Sequence, residues 1–277
     1  MKFSLQAGGI LLISLLVFLS DCSLFAQEKS VATSNLVFEC RPIPPFDPLH
    51  WKSVEMIFEA LPAIPLQQNW LPAPESQFEP ATVRVGWQPD SVWIYAVMED
   101  RDIFNPTTRM NQLQDPNEKI PGKDYDVVTA VMGDVLEVLV RGANSGPYYE
   151  LHVTPQNQAL QLKWMDWKDY ATMEETPEAK NPFVSHLVNG ERLFTSYVQV
   201  DKAHKQWRVL MQIPARLING TDTISIGQDW LISCSRYDWD QDVARPGLSS
   251  TSVHQKYRGH SISFHRQEEW GRLKFVD

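Results

Sequence analysis

The sequence predicts an all-β fold, a two-sheet antiparallel β-sandwich of the immunoglobulin-like or jelly-roll type. Three observations predict it. Apolar and polar residues alternate with period two over many short stretches, the spacing that sends successive side chains to opposite sheet faces. Turn residues punctuate these stretches into hairpins. Helical candidates are few, so the strands must bury their apolar faces against one another. Composition agrees: 277 residues, 43% hydrophobic and 21% charged, close to the average of folded proteins. A disordered, coiled-coil or collagen-like chain is excluded. The net charge of −9 and the lack of a basic stripe exclude nucleic acid as a partner.

Residues 1–26 read as an export signal. Lys2 supplies a positive start, Ile10 to Leu19 is an apolar run broken only by Ser14, and Ala26 is the expected last residue removed. The run is shorter than the roughly 20 residues that span a bilayer. Leu19-Ser20-Asp21-Cys22 hints at lipidation of Cys22, although Asp before that Cys fits such a site poorly. Residues 27–277 are expected as one exported domain, periplasmic or extracellular, with no later membrane-spanning segment.

Asn35–Cys40 is the expected opening strand, and the proline-rich stretch 41–80 a long wrapping segment. Val83–Trp87 and Val92–Met98 form one hairpin around Gln88–Ser91. Val135–Arg141 and Tyr148–Thr154 form a second around Gly142–Pro147. Ala159–Trp164, Phe194–Val200, Gln206–Ile213 and Asp229–Arg236 follow, and Trp270–Val276 closes a sheet. Pro214 stops its strand, leaving Ala215–Asn219 as one helical turn at most. Cys40 and Cys234 are either a disulfide, which export permits, or two small buried residues.

The second hairpin carries the most chemistry. Leu136, Val138, Val140, Tyr149, Leu151 and Val153 must face the core. If Arg141 pairs with Tyr148, Glu137 lies opposite His152. Glu137, Arg141, Tyr148, Glu150 and His152 then share the other face, either an ordinary solvated surface or, because Val135 and Leu139 interleave, a partly covered concave one. Arg236, Tyr237, Asp238, Trp239 and Asp240 leave a strand together. Rings that stack on sugar faces, with carboxylates and guanidinium groups that bond hydroxyls, are what saccharide sites combine. Phe264, between Ser263 and His265, offers another ring. Trp164 and Trp167 read as packing residues.

No phosphate-loop, dinucleotide, zinc-protease or serine-hydrolase motif occurs, and two mature cysteines exclude a Cys-rich metal site. Asp100 and Asp102 could contribute to a calcium site or stand in a solvated turn. Carboxylate pairs suited to glycoside hydrolysis, Glu137 with Glu150 or Asp238 with Asp240, arise readily among 34 acids, so catalysis is not expected.

The order of motifs resembles the family 9 carbohydrate-binding modules and their DOMON-like relatives. Trp51-Lys52-Ser53-Val54 resembles the opening W-x-x-A/V. Val83–Trp87 followed by Val92–Asp100 resembles the V-R-V-x-W hairpin. Gly133–Val138 resembles D-x-V-E-[IV]-F, and Tyr148–Pro155 resembles Y-Y-x-[FL]-x-V-N-P. Trp207–Pro214, Trp230–Arg236 and Trp270–Phe275 resemble the closing three motifs. The resemblance covers about residues 45–277 and implies a β-sandwich that binds a polysaccharide or oligosaccharide without catalysis. It implies a carbohydrate site at Glu137, His152 and Phe264, with Arg236 and Trp239 added from the strand end. One stacking Trp of the family is replaced here by Ala130-Val131-Met132. No cofactor is expected from this reading. The DOMON relatives suggest an alternative, a haem-binding electron-transfer module with Met132 and His152 as axial ligands. A structural envelope protein without ligand is the third reading.

Overall fold

A computed structural model describes residues 36–104, 133–144, 146–166, 186–188, 192–240, 245–256 and 262–277. All lie in one compact unit spanning residues 33–277. The strands are β1 (Val37–Pro42), β2 (Ile64–Leu66), β3 (Ala81–Gln88), β4 (Ser91–Glu99), β5 (Val135–Gly142) and β6 (Tyr148–Val153). They continue as β7 (Ala159–Trp164), β8 (Thr195–Asp201), β9 (Gln206–Pro214), β10 (Asp229–Asp238), β11 (Gly247–Ser250) and β12 (Gly271–Phe275). Among the described residues there are two α-helices, α1 (Trp51–Glu59) and α2 (Ala215–Asn219), and one 3-10 turn at Gln267–Glu269.

The strand order is β7-β6-β5-β10-β12-β1-β3-β4-β9-β8, with β2 beside β3 and β11 beside β10. The two layers of this sandwich meet at β1. Val37–Cys40 pair with β12, and Arg41–Pro42 pair with β3. Both pairings are parallel, whereas every other strand pairing described is antiparallel. The expected antiparallel sandwich therefore has one parallel seam, because β1 enters between two strands that already run alongside it.

The sandwich interior follows from alternation. Leu136, Val138, Val140, Leu151 and Val153 from the first sheet meet Val83, Val85, Ile94, Ala96, Val209 and Met211 from the second in one buried cluster. Cys40 and Cys234 both lie in it as free thiols. Their spacing did not decide between a bridge and two small core residues; the packing chose the latter.

Each sheet is also covered on its far side. On the second sheet α1 lays Val54 and Phe58, four residues apart and so on one helix face, against Trp93, Tyr95 and Leu210. The stretch 41–80 thus holds a helix and β2 as well as wrapping chain. On the first sheet Leu139, Tyr148, Leu160, Leu162 and Trp164 pack under Phe264 and Trp270. The face expected to be solvated or concave is closed here, which explains its mixed apolar and charged pattern.

Candidate functional site

On that covered face the register is the one the alternation predicts: Glu137 on β5 is opposite His152 on β6, and Leu139 is opposite Glu150. His152 Nε2 lies 3.1 Å from Glu137 Oε2 and 2.8 Å from Glu150 Oε1. Trp164 Nε1 donates to Glu150 Oε2 at 2.8 Å. His265, from the covering segment, sits over the group. Its Nδ1 is 2.7 Å from the Tyr148 hydroxyl, and its Nε2 is 3.8 Å from Glu150 Oε2.

Burial sets the proton affinities. Glu137 and His152 are each about 1% exposed. Burial raises the Glu137 carboxyl despite its His152 partner. It would also raise Glu150, but donation from His152 and the His265 charge interaction bring the net direction down. Burial would lower His152, yet the hydrogen bonds it donates to Glu137 and Glu150 carry it up to about 9. His265, lacking so close a carboxylate, is pushed down to about 4 by burial.

A second polar group adjoins the first. Ser250 and Ser252 of the covering chain bond Ser233 on β10, and His254 links Ser250 to Glu269. Arg266 closes on Glu269 at 3.0 Å. Beside it lies an open hollow of about 390 Å³ lined by Gln68, Trp70, Glu75, Arg245, Leu248 and Lys256. The size suits a small-ligand site. Gln68 holds Glu75 through a side-chain and a backbone bond, and Glu75 pairs with Arg245 at 3.0 Å. The half-buried Trp70 ring leans on Phe264 and His254, with centroids 6.2 and 5.9 Å away.

The sequence-predicted residues divide. Glu137 and His152 meet as expected. Phe264 is over the same face, 5.8 Å from Tyr237, but is itself buried. Arg236 does not join them. It is opposite Leu136 in register, and so on the interior face, where it bonds the Glu99 carbonyl, Asp100 Oδ2 and Asp238 Oδ1. The expected convergence of Glu137, Arg236 and Phe264 on one concavity fails for this reason. Parity along β10 carried the signal, since Ile232, Cys234 and Arg236 share a face. Trp239 is half-buried at the strand end, its backbone N–H donating to Asp134 Oδ1. Met132, Trp167, Cys22 and the signal segment lie outside the described residues.

The pair Asp100 and Asp102 forms a turn rather than a cage. Asp102 N–H donates to Asp100 Oδ1, while Trp207 Nε1 and Arg236 Nη2 take Oδ2. Asp100 does gather with the Glu79 and Asp238 carboxylates within 4.8 Å, but the Arg236 guanidinium already occupies two of them, and Lys202 and Lys205 line the neighbouring hollow. Haem ligation by His152 Nε2 fits poorly too, since two carboxylates already face that nitrogen in a closed layer.

Two residues were missed. Trp164, which its spacing marks as a packing residue, also holds Glu150. Trp70 stands in a stretch without periodicity, where no sequence signal marks it.

No protein-family model matches the chain, and no curated protein matches it in sequence. Solved structures do match in shape. A Bacteroides uniformis protein assigned as carbohydrate-binding is 12% identical, with a TM-score of 0.59 over 88% of this chain and 100% of its own. A family 9 carbohydrate-binding module from Caldicellulosiruptor kristjanssonii, solved with cellotriose, is 9% identical, with a TM-score of 0.52 over 86% of this chain and 92% of its own.

Proposed function

We propose that this sandwich, whose fold is that of the family 9 carbohydrate-binding modules, is an exported protein that binds a polysaccharide or oligosaccharide without catalysis. The observation that carries the reading is the Trp70 hollow, where an accessible ring stands beside an amide, a carboxylate and two cations. A ring covers an apolar sugar face, and the polar groups exchange bonds with hydroxyls. In this reading Trp70 is the stacking platform and Phe264 supports it from beneath. Glu137 and His152 form the buried polar floor of the same face, and Trp239 stands toward its edge. Export rests on the composition of residues 1–26.

Calorimetry or affinity electrophoresis against a panel of soluble glycans tests the proposal. At least one glycan should be retained, and Trp70→Ala should weaken retention about fivefold or more, since losing a ring contact together with its buried area costs on the order of 1 kcal/mol or more. A folded wild-type chain that binds no glycan overturns the reading. Export is checked by N-terminal sequencing of the exported chain, which should begin near Gln27.

A further inference from the structure

We infer that Glu137, Glu150 and His152 form a site for one divalent transition-metal ion of the zinc class. One ligand atom from each lies within 4.8 Å of the others. All three come from two rungs of one hairpin, two residues apart, and so point to one sheet face.

The hydrogen bonding of the trio is over-subscribed. Two carboxylate oxygens converge on His152 Nε2, at 3.1 and 2.8 Å, and one nitrogen carries at most one proton to share between them. Ligands of a tetrahedral zinc ion, with metal–N and metal–O bonds of about 2.0–2.2 Å, stand about 3.3 Å apart. The two contacts to His152 need to open by only a few tenths of an ångström, and the carboxylate oxygens, which lie within 4.8 Å of each other, must settle at a similar separation around the ion.

Charge points the same way. Among the described residues only histidines pair with Glu137 or Glu150. Without a metal, a protonated His152 balances only one carboxylate, so the other must either keep a proton, the direction burial pushes Glu137, or stay charged in a dry layer, which is costly. A divalent ion with a neutral imidazole balances both carboxylates.

A second observation is independent of the convergence. Glu137 Oε1 is buried without a hydrogen-bond partner; the Tyr237 hydroxyl approaches this carboxyl without closing a bond to that oxygen. It is a spare donor atom in the cluster. One supporting contact suits a metal site: Trp164 orients Glu150. His152 Nδ1 has no such support, so its ring is aimed from the Nε2 side alone. Imidazole with carboxylate favours zinc or its neighbours over calcium and magnesium, which take all-oxygen shells.

The test uses the purified exported chain, stripped with chelator and titrated with Zn²⁺ by calorimetry and thermal unfolding, with Ca²⁺ and Mg²⁺ as controls. One equivalent of Zn²⁺ should bind and raise the melting temperature, with slow release to added chelator because the site is covered. Glu137→Gln and Glu150→Gln should each weaken binding more than about tenfold, whereas His204→Asn, at an exposed histidine, should not. Binding unchanged in both glutamine variants, or none in the stripped wild type, overturns the proposal. Should the variants misfold, Co²⁺ loaded into the wild type decides: visible d–d bands of a four- or five-coordinate N/O site support it, and a spectrum of octahedral aqueous Co²⁺ defeats it. None of these readouts involves a saccharide, so the proposal stands or falls apart from the glycan reading.

Discussion

Arg236 shows how a single side chain reorganises the meaning of its neighbourhood. It is fully buried and bonds two aspartates and a carbonyl at the end of the sandwich interior. Five donors in a planar fork suit it to such a hub. Arg236→Met would leave Asp100 and Asp238 buried without their cation, and breaking a buried ion pair from one side typically costs about 3–5 kcal/mol. Chemical denaturation should read a loss of that order, while Arg272→Met, at an exposed ion pair, should cost less than about 1 kcal/mol. Equal losses would refute the hub. Glu137 and His152 teach the complementary lesson. Their pairing was legible from parity within one hairpin, because both strands and the short loop joining them are local in sequence.

At the scale of elements, glycines separate backbone cost from packing cost. Gly220 ends α2 with φ of +70° and its N–H on the Arg216 carbonyl, and nothing lies within 4 Å of a would-be Cβ. Gly220→Ala should therefore cost about 1 kcal/mol, from the left-handed backbone alone. Gly271 opens β12 with an ordinary backbone, but a Cβ there would overlap the Phe38 ring. Gly271→Ala should cost about 1–3 kcal/mol through overpacking, and the added mutation Phe38→Leu should recover part of it. Additive losses in the double variant would refute that account. The elements themselves were largely legible. The hairpins and their boundaries follow the predicted ranges within a few residues, because turn residues and alternation are local signals. Helix α1 escaped because prolines on both sides obscured a proline-free run with Val54 and Phe58 four apart.

For the whole molecule, the pH dependence of stability follows from the buried acids at the sandwich end. Burial pushes Asp238 up to about 7 despite Arg236, and Asp134 up to about 9 with a further push from Asp100. An acid raised in the folded state binds more protons there than in the unfolded chain. Its contribution is fully present below the unfolded carboxylate value near 4 and is lost as pH rises through the folded value. The melting temperature should fall from pH 5 to pH 9, and Asp238→Asn should flatten the part of that fall below about pH 7. A profile rising across this range would contradict the assignment. The all-β class, the sandwich core and the Glu137–His152 register were determined by the sequence itself, since period-two alternation and turn chemistry act within a dozen residues. The face of Arg236 was also written in the parity of β10. Only the tertiary structure decided that β1 runs parallel between the two sheets, that Cys40 and Cys234 remain apart, and that the Glu137 face is closed. Those outcomes depend on segments such as 262–270 returning to a sheet more than a hundred residues earlier, where burial is settled by what lands on a face and not by the residues that form it.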